Sequence, residues 1–538
     1  MTVILPAILA PVLIVVRVLK VDFYSSYKQL EVVVEQSDFS VWILLLQIFI
    51  VLFLVALVFG VVWVACLYVV DVRQKGHTIR SNYPVLGRFR YFFEHLGEFF
   101  RQYFFAMDRE EMPFNRAQRS WVYRAAKNTN NTVAFGSTVN TDAPGTILFV
   151  PHPFPSLDTH SGSGAPVVIG PDCRFPYAAR SSFNVSAMSF GAISEAAVRA
   201  LSQGCEKAGA WLNTGEGGLS SHHLSGGCDL VVQIGTAKYG VRDDKGGLSE
   251  SKLLAVAEHD QVKMIEIKLS QGAKPGKGGI LPGIKVTDEI AGIRGIPVGQ
   301  ASISPNGHSD IRDVNELLDQ INYIRELTGK PVGFKLVVGG LQFFNQLFEA
   351  ILQRGVEHAP DFISIDSGDG GTGAAPLSLI DHSGLTIRES LPGVIDKLAE
   401  YGLRERIRVV VAGKLITPAG MAWALCVGAD FVVSARGFMF ALGCIQAMQC
   451  NKNTCPTGVA TQDVELQKGL DVTDKAARVA HYVANMVEEV GVIAHSCGVD
   501  EPAQLNRSHA HIVLGPGNSE ALSSYYERDG KIGAWGSI

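Results

Sequence analysis

The chain has 538 residues, which is enough for one large domain with accessory segments. Its formal net charge of −5 at pH 7 argues against a nucleic-acid partner, because nucleic-acid binding surfaces are strongly basic. Six of the nine cysteines are scattered without a framework, which indicates a reducing compartment rather than a disulfide-stabilised fold.

Residues 1–70 are predicted to form a membrane anchor. Residues 41–70 contain no charged side chain and a single side-chain amide, Gln47, and thirty such residues can span a bilayer with some tilt. A buried helix of a soluble domain is the alternative for this segment. Residues 3–19 are a second candidate span or an interfacial segment, because they are apolar but short and contain Pro6 and Pro11.

Residues 71–180 are predicted to link the anchor to a catalytic body and to pack against it. Basic residues crowd the start of this region and are absent from residues 30–40, so the C-terminal part should face the cytoplasm (Arg73, Lys75, Arg80, Arg88 and Arg90). Apolar spacing predicts a helix along residues 89–105, which either packs on the catalytic body or lies on a lipid surface. Residues 129–180 are predicted to form loops and short strands.

Residues 181–440 are predicted to fold as a (β/α)8 barrel, in the α/β class. Eight short apolar runs alternate with helical and glycine-rich stretches, as repeated β/α units do (residues 183–187, 210–213, 230–233, 263–268, 332–337, 362–366, 408–412 and 431–435). A doubly wound open sheet is the alternative, but no G-x-G-x-x-G motif opens a helix after an early strand. Functional side chains are therefore expected after the strands, where residues 269–312 and 367–390 form the longest insertions.

Charged side chains follow several of the predicted strands. Glu216 lies in a loop after the second strand, and Lys274 and Arg294 follow the fourth in a glycine-rich insertion. These two cations can clamp a dicarboxylate, although solvated loop charges are an equally good interpretation. Lys335 lies in the apolar run VGFKLVV, where it needs an anionic partner, and the N1/O2 edge of a reduced flavin would serve.

Glycine-rich loops after the later strands resemble anion sites in their composition. The loop at residues 366–373 offers backbone N–H groups to an anion or a flavin ring. Gly413, Lys414 and Arg436 follow the seventh and eighth strands, where barrels commonly bind phosphate, so an FMN phosphate would fit there.

Residues 441–538 are predicted to hold an iron–sulfur loop followed by a helical region. Cys444, Cys450 and Cys455 fall within twelve residues and end in Cys-Pro. Thiolates are the usual ligands of iron–sulfur clusters, and three of them suit a three-iron cluster. A four-iron cluster or a structural zinc would need a fourth ligand from elsewhere, and buried or disulfide-bonded cysteines are the plain alternative.

With these residues in view, the chain resembles the FMN-binding synthase domain of glutamate synthase, and more closely the membrane-anchored, stand-alone members of that group. The resemblance covers about residues 170–465 and rests on seven motifs in the family's order: SFGAIS, NTGEGG, KLSQGAKPGKGGILPG, SPNGHSDI, DSGDGGTGAAP, AGKL and Cys-x5-Cys-x4-CPTGVATQ.

The resemblance implies FMN in the barrel, a 3Fe-4S cluster on the three cysteines, and reduction of 2-iminoglutarate, formed from 2-oxoglutarate and ammonia, to glutamate. It implies substrate-facing roles for Glu216, Lys274 and Arg294. Glu216 or His308 could protonate the developing amine, although a structural hydrogen-bonding role for His308 is at least as good an interpretation. The resemblance also implies flavin contacts from a larger set: Ser189, Gln233, Lys335, Gly368, Gly370, Gly371, Thr372, Gly413 and Arg436.

Three departures from the family pattern limit the transfer of substrate and partners. Ile280 stands where the family usually has Gln, so a different amino acid, keto acid or substituted amine is an alternative substrate. The sequence shows neither a glutaminase domain nor a nicotinamide fingerprint, so free ammonia and an electron-donor protein are the expected partners. A non-catalytic electron-transfer subunit at the membrane is the third hypothesis, although Glu216, Lys274 and Arg294 would serve no purpose in it.

Overall fold

The computed structural model describes residues 38–130, 132–157 and 164–528. These residues form two compact units, the first ending at Glu111 and the second beginning at Met112.

The first unit is helical. Helix α1 spans Asp38–Arg73, α2 spans Thr78–Asn82, and α3 spans Leu86–Phe100 and continues into a π-helical turn, Arg101–Phe105. Helix α1 contains the predicted span at residues 41–70 and is long and apolar enough to cross a bilayer by length and composition. The candidate span at residues 3–19 lies outside the described residues.

The second unit contains a closed parallel barrel, which confirms the predicted fold class. Its eight strands pair in chain order, and the last pairs with the first. They are β1 (Phe183–Val185), β2 (Leu212–Asn213), β3 (Leu230–Ile234), β4 (Val262–Lys268), β5 (Val332–Val337), β6 (Phe362–Asp366), β7 (Arg408–Ala412) and β8 (Phe431–Ser434).

The strand boundaries differ from the sequence prediction by at most two residues. The largest shift at a strand start is in β2, which begins at Leu212 rather than at residue 210. The Trp211 N–H donates to the side chain of Asn184, at 2.9 Å, instead of to a neighbouring strand. A side-chain acceptor of this kind leaves no trace in the apolar pattern of the strand.

Helices surround the barrel in the order expected of β/α units. They are α4 (Arg116–Ala126), α5 (Glu195–Ala208), α6 (Ser221–Leu224), α7 (Glu250–Ala257), α8 (Asp288–Arg294), α9 (Val314–Thr328), α10 (Gln342–Arg354), α11 (Leu377–Ile380), α12 (Ile387–Glu400), α13 (Pro418–Val427), α14 (Arg436–Leu442), α15 (Val464–Gln467), α16 (Val472–Ser496) and α17 (Leu522–Arg528). Among the accessory strands, Ala510–Gly515 lies between Ile147–Phe149 and Asn518–Ala521 and pairs with both. Val167–Ile169 pairs with Tyr177–Ala179, and Ile280–Leu281 pairs with Ser302–Ile303.

One end of the barrel is closed by apolar packing. Trp211, Phe362 and Phe431 fill the interior near the strand starts, and Ile169 and Tyr177 of an accessory hairpin belong to the same buried cluster. The opposite end, where the strands finish, is the end at which (β/α)8 barrels carry their sites.

Candidate active site

A cavity of about 680 Å³ lies at the carboxyl ends of the barrel strands. This volume is typical of small-molecule and cofactor sites. The cavity is lined from several strand ends, by Gln233 of β3, Lys268 of β4, Lys335 of β5, Asp366 of β6 and Ala412 of β7. We call the buried residues below it, around Glu266 and Lys335, the floor, and we call the loops around its mouth the rim.

The floor is built on Glu266, a buried carboxylate in β4 that the sequence analysis did not single out. One of its oxygens accepts hydrogen bonds from the side-chain amides of Asn213, at 2.9 Å, and Gln233, at 2.6 Å, and the other accepts from the Ser364 hydroxyl. Because Gln233 donates its NH2 group downward to Glu266, its amide oxygen is left as the acceptor for the cavity.

Lys335 also belongs to the floor, and its anionic partner is a protein side chain. Its ammonium group lies 3.2 Å from a carboxylate oxygen of Asp366. Burial lowers the pKa of Lys335, but the carboxylates of Asp366 and Glu266 outweigh this and raise the pKa above its ordinary value. Lys335 is therefore a permanent cation beneath the cavity, and Asp366 also accepts from the Gly272 N–H at 3.0 Å.

An ion pair at the rim joins Glu216 to Lys268, the last residue of β4. Their charged atoms are 2.8 Å apart, and both side chains are at least 86% buried. Burial raises the pKa of Glu216, but the charges of Lys268, Lys274 and Arg294 outweigh it, so the pKa lies below its ordinary range. Glu216 is therefore ionised at neutral pH, and Lys268 is a site residue that the sequence analysis missed.

Lys274 and Arg294, the predicted dicarboxylate clamp, both line the cavity. Lys274 is 3% exposed, and its ammonium group has no direct hydrogen bond or ion pair among the described residues. Burial and the charge of Lys268 lower its pKa to about 8. Arg294 donates to the Ser302 hydroxyl at 3.0 Å, while its Nε has no partner in the described part of the chain.

Most of the predicted flavin contacts in the glycine-rich loop after β6 line the cavity. Gly370, Gly371 and Thr372 line it, as does Gly413 after β7. Gly368 does not, because its N–H donates to the Leu385 carbonyl at 2.8 Å and it faces the backbone of Gly384.

Arg436, at the start of α14, lines the same cavity next to this loop. Its guanidinium lies 4.6 Å from the centre of the Phe114 ring, and a Cβ on Gly371 would come within 2.8 Å of it. A single hydrogen bond of 3.4 Å, to the Asp369 carbonyl, was found for this guanidinium within the described residues. A guanidinium with so few partners suits an anionic ligand.

Cys444, Cys450 and Cys455 line the side of the cavity that adjoins α14. Backbone groups at positive φ bend the loop between them, at Gly443, Gln446, Met448 and Asn453. Burial raises the pKa of Cys455, but the Thr457 hydroxyl, 3.4 Å from its sulfur, and the backbone N–H groups that follow outweigh burial and lower this pKa (Thr457, Val459 and Ala460). No three His, Cys, Asp or Glu side chains converge on a single-ion position anywhere in the described ranges.

The cysteine loop is held by residues that precede the first barrel strand by at least sixty positions. The Tyr123 hydroxyl donates to the Cys444 carbonyl at 2.6 Å, and Arg119 donates to the Ile445 carbonyl at 3.4 Å. The Gln446 amide donates in turn to the Phe114 carbonyl at 3.1 Å. This support by residues 114–123 was not foreseen, and only their aromatic and basic composition hinted at a buried role.

Of three further positions that the sequence singled out, Ser189 and Ile280 line the cavity and His308 does not. Ser189 lines the cavity and receives a long hydrogen bond, 3.5 Å, from Arg294. Ile280, partly buried, also lines it. His308 is buried outside the lining, with Nε2 2.9 Å from the Lys268 carbonyl, and burial lowers its pKa. The structure therefore brings His308 to the backbone of Lys268 rather than to the cavity.

Comparison with known proteins places this site in a family. A family model described as the conserved region in glutamate synthase matches residues 163–500, which is more than half of the chain. The chain belongs to the glutamate synthase family. The prediction of an oxidoreductase of this kind, made from the seven motifs, is confirmed at the family level.

Individual relatives of the family cover the chain to different extents. The glutamate synthase large subunit-like protein YerD of Bacillus subtilis is 38% identical over 503 residues, 86% of this chain and 95% of its own length. An archaeal-type NADPH glutamate synthase of Thermotoga maritima is 34% identical over 62% of each chain. A ferredoxin-dependent glutamate synthase of Cyanidium caldarium is 33% identical over 60% of this chain and 21% of its own.

A mandelate oxidase with an FMN adduct is among the solved structures that resemble the chain. It aligns with a TM-score of 0.41 and 16% identity, over 75% of this chain and 92% of its own.

Proposed function

We propose that this protein is a membrane-anchored, glutamate synthase-like oxidoreductase that uses FMN and a 3Fe-4S cluster. The proposed reaction is reduction of 2-iminoglutarate, formed from 2-oxoglutarate and ammonia, to glutamate. The observation that carries the proposal is that the cationic rim, the glycine-rich loop and the three cysteines line one cavity. Family membership supports the reaction class.

The residues of the cavity fit FMN. The sparsely bonded guanidinium of Arg436 and the backbone at Gly413 suit a phosphate, and Gly371 leaves room that a Cβ would take from Arg436. Ser189, Gln233, Lys335, Gly370 and Thr372 are assigned to the ring system, with the acceptor oxygen of Gln233 and the cation of Lys335 facing it from the floor. When bound, FMN would supply hydride transfer.

The cysteine side fits a cluster of several irons better than a single metal ion. Each thiolate of such a cluster binds its own iron, so the three sulfurs surround a volume and do not meet at one point. This agrees with the absence of a single-ion position in the described ranges. The N–H groups directed at Cys455 are the type of contact that tunes cluster potentials.

The remaining residues are assigned to binding and positioning the substrate. Lys274 and Arg294 hold the two carboxylates of the keto acid, and Lys268 keeps Glu216 ionised. An ionised Glu216 accepts hydrogen bonds from the substrate nitrogen and holds it in place. His308, on the backbone of Lys268, positions that lysine and through it the ion pair.

Helix α1 is proposed to anchor the protein in the membrane, with the second unit on the cytoplasmic side. Its length and apolar composition support the anchor, and the basic residues after it support the orientation. An electron-donor protein is proposed to reduce the cluster. The names of the relatives give NADPH or ferredoxin for those proteins, so two donor types occur in the family.

The test uses the full chain purified in detergent without oxygen and reduced chemically. We expect addition of 2-oxoglutarate with ammonia to reoxidise the flavin and to yield glutamate. Arg294→Gln should abolish this response, and Lys277→Met is the matched control, because Lys277 lies in the same insertion, exposed and outside the cavity lining. A flavin that stays reduced with 2-oxoglutarate and ammonia contradicts the glutamate assignment.

Ile280 favours a second candidate, in which the same cofactors act on another keto acid, amino acid or substituted amine. Its side chain lines the cavity and can make no hydrogen bond to a substrate. Reoxidation of the flavin by an acceptor other than 2-oxoglutarate supports this candidate. Reoxidation by no small molecule supports a non-catalytic electron-transfer subunit.

A further inference from the structure

Helix α3 of the first unit carries an uncovered stripe of aromatic side chains. Phe89, Phe92 and Phe93 are 56–61% exposed, and Leu86 and Phe100 are also exposed. Their spacing of three and four residues places them along one side of the helix. The π-helical turn that follows adds Tyr103, Phe104 and Phe105, with exposures of 49–75%. We call the exposed apolar residues on this side of α3, from Leu86 to Phe100, the aromatic stripe.

The start of α3 is fixed to the end of α1. Asp71, in the last turn of α1, has a side chain only 1% exposed and accepts two hydrogen bonds from Arg88, at 2.8 and 2.7 Å. The same carboxylate accepts from the Val85 N–H at 3.0 Å. A two-pronged pair of this kind fixes direction as well as distance. Wherever the C-terminal end of α1 lies in a membrane, the first turn of α3 therefore lies next to that end.

The other side of α3 is occupied by the linker between the two helices. Tyr91 packs against His77 and receives the guanidinium of Arg80, 4.9 Å from its ring centre. Gly87 lies so close to this linker that a Cβ would come within 2.8 Å of the Ile79 carbonyl. The linker therefore covers the side opposite to the stripe at the start of α3, and it leaves the stripe itself open.

The charge around the stripe points to an anionic surface. Residues 71–101 contain six basic residues, Arg73, Lys75, Arg80, Arg88, Arg90 and Arg101, and three acidic residues, Asp71, Glu94 and Glu98, so the segment has a net charge of 6 − 3 = +3. Basic residues next to a membrane span attract anionic lipid headgroups, and aromatic residues concentrate at the membrane–water interface.

We propose that α3 and its π-helical turn lie flat in the headgroup region of an anionic lipid bilayer, with the aromatic stripe toward the acyl chains. The Asp71–Arg88 pair acts as the joint that turns the chain from the span into the interface. Flat docking buries the stripe without displacing the linker, and it leaves the basic side chains at headgroup level. The inference rests on the proposed anchoring by α1.

The test places a photoreactive benzoylphenylalanine in the full chain, reconstituted into vesicles of phosphatidylcholine and phosphatidylglycerol. Phe93, Glu94 and Phe53 are replaced one at a time. Phe93 is in the stripe, Glu94 is its exposed neighbour on another side of α3, and Phe53 is an exposed residue of α1. We expect at least about tenfold more lipid adduct at position 93 than at 94, because an interfacial helix buries only its apolar face.

The position 53 probe separates this inference from the anchoring on which it rests. Lipid adducts at 53 but not at 93 overturn the inference while the anchoring stands, and adducts at neither position overturn both. Adducts to protein at position 93 would show that a protein surface covers the stripe, and they would also overturn the inference. Equal lipid adducts at 93 and 94 contradict a fixed orientation of the helix.

Variants of the joint and of the lipid give a second measurement. Arg88→Gln should reduce the lipid adduct at position 93 while leaving the adduct at 53 unchanged, and Arg88→Lys should reduce it less. Vesicles without phosphatidylglycerol should lower the adduct at 93 several-fold, because the basic residues lose their electrostatic attraction. If the lipid adduct at position 93 responds to neither change, the Asp71–Arg88 pair does not orient α3 and the helix does not prefer anionic lipid.

Discussion

The floor of the cavity pairs its buried charges within the protein, whereas the rim, beside the Glu216–Lys268 ion pair, leaves two cations with few partners. In the floor, Glu266 receives three side-chain hydrogen bonds and Lys335 is paired with Asp366. At the rim, the Lys274 ammonium has no direct partner in the described part of the chain, and Arg436 has one long hydrogen bond. Unpaired buried charge is costly, so it persists where a ligand compensates it.

This contrast separates structural from ligand-dependent electrostatics. Changes in the floor should act on stability and on the geometry offered to the cofactor, with or without substrate. Changes at the rim should act on what is bound and leave the empty protein intact. Substitutions in the floor and at the rim should therefore have measurably different effects.

Loss of one rim cysteine should remove a whole cofactor. We expect Cys450→Ser to abolish the electron paramagnetic resonance signal of the cluster, because a three-iron cluster with three cysteine ligands has none to spare. Cys66→Ser is the control, since Cys66 is exposed in α1 and distant in sequence from the loop. An unchanged signal in Cys450→Ser would show that the ligand assignment is wrong.

Removal of the floor cation should destabilise the barrel itself. Lys335→Met leaves the carboxylates of Asp366 and Glu266 buried without their cation, which should lower the free energy of unfolding by about 3–5 kcal/mol. Denaturant unfolding of the flavin-free protein measures the effect. Lys263→Met is the control, because Lys263 is 37% exposed in a loose 3.9 Å pair with Asp229, and its loss should cost under about 1 kcal/mol. Equal losses in the two variants would remove the contrast between floor and rim.

Neutralising Glu266 should have a smaller effect on the floor. Glu266→Gln preserves shape, but its NH2 group turns the Ser364 hydroxyl from a donor into an acceptor, and the substitution removes a negative charge near Lys335. We expect a loss of about 1–3 kcal/mol in the free energy of unfolding, and a shifted flavin absorbance spectrum with the cluster signal unchanged. A change in the cluster signal without a flavin shift would contradict the role assigned to Glu266.

The smallest effect should be a pH dependence at the rim. With a pKa of about 8, Lys274 is a cation below that pH and is neutral above it, so the clamp weakens as pH rises through 8. We expect kcat/KM for the keto acid to fall about tenfold per pH unit above this point. Lys274→Arg should remove the fall, because arginine stays charged. A fall that persists in Lys274→Arg assigns the titration to another group.

Local patterns in the sequence predicted the fold and many of the residues that line the site. Apolar runs separated by glycine-rich loops predicted all eight strands, because a parallel strand that is buried on both faces is mostly apolar. The long uncharged segment at residues 41–70 predicted helix α1, and the close spacing of the three cysteines predicted the loop that lines the cavity after α14. Lys335 was recognised as needing an anion, because an ammonium within an apolar strand cannot remain unpaired.

Tertiary structure decided which groups meet. Lys335 is paired with Asp366, one strand over, and Glu266 reaches Asn213, Gln233 and Ser364 on three other strands, because side chains that point into a closed barrel converge whatever their separation in sequence. The same convergence pairs Lys268 with Glu216.

Long-range contacts and the direction of backbone groups account for the other features of the site that the sequence did not predict. The Tyr123 hydroxyl supports Cys444 across 321 positions, a pairing that no local pattern encodes. Gly368 and His308 belong to motifs whose neighbours line the cavity, yet both face backbone groups elsewhere. A motif fixes which residues are near a site, whereas the direction of each N–H or imidazole depends on the packing around it. The sequence by itself determined the elements and their chemistry, and the closed barrel decided which charges are paired and which are left for a ligand.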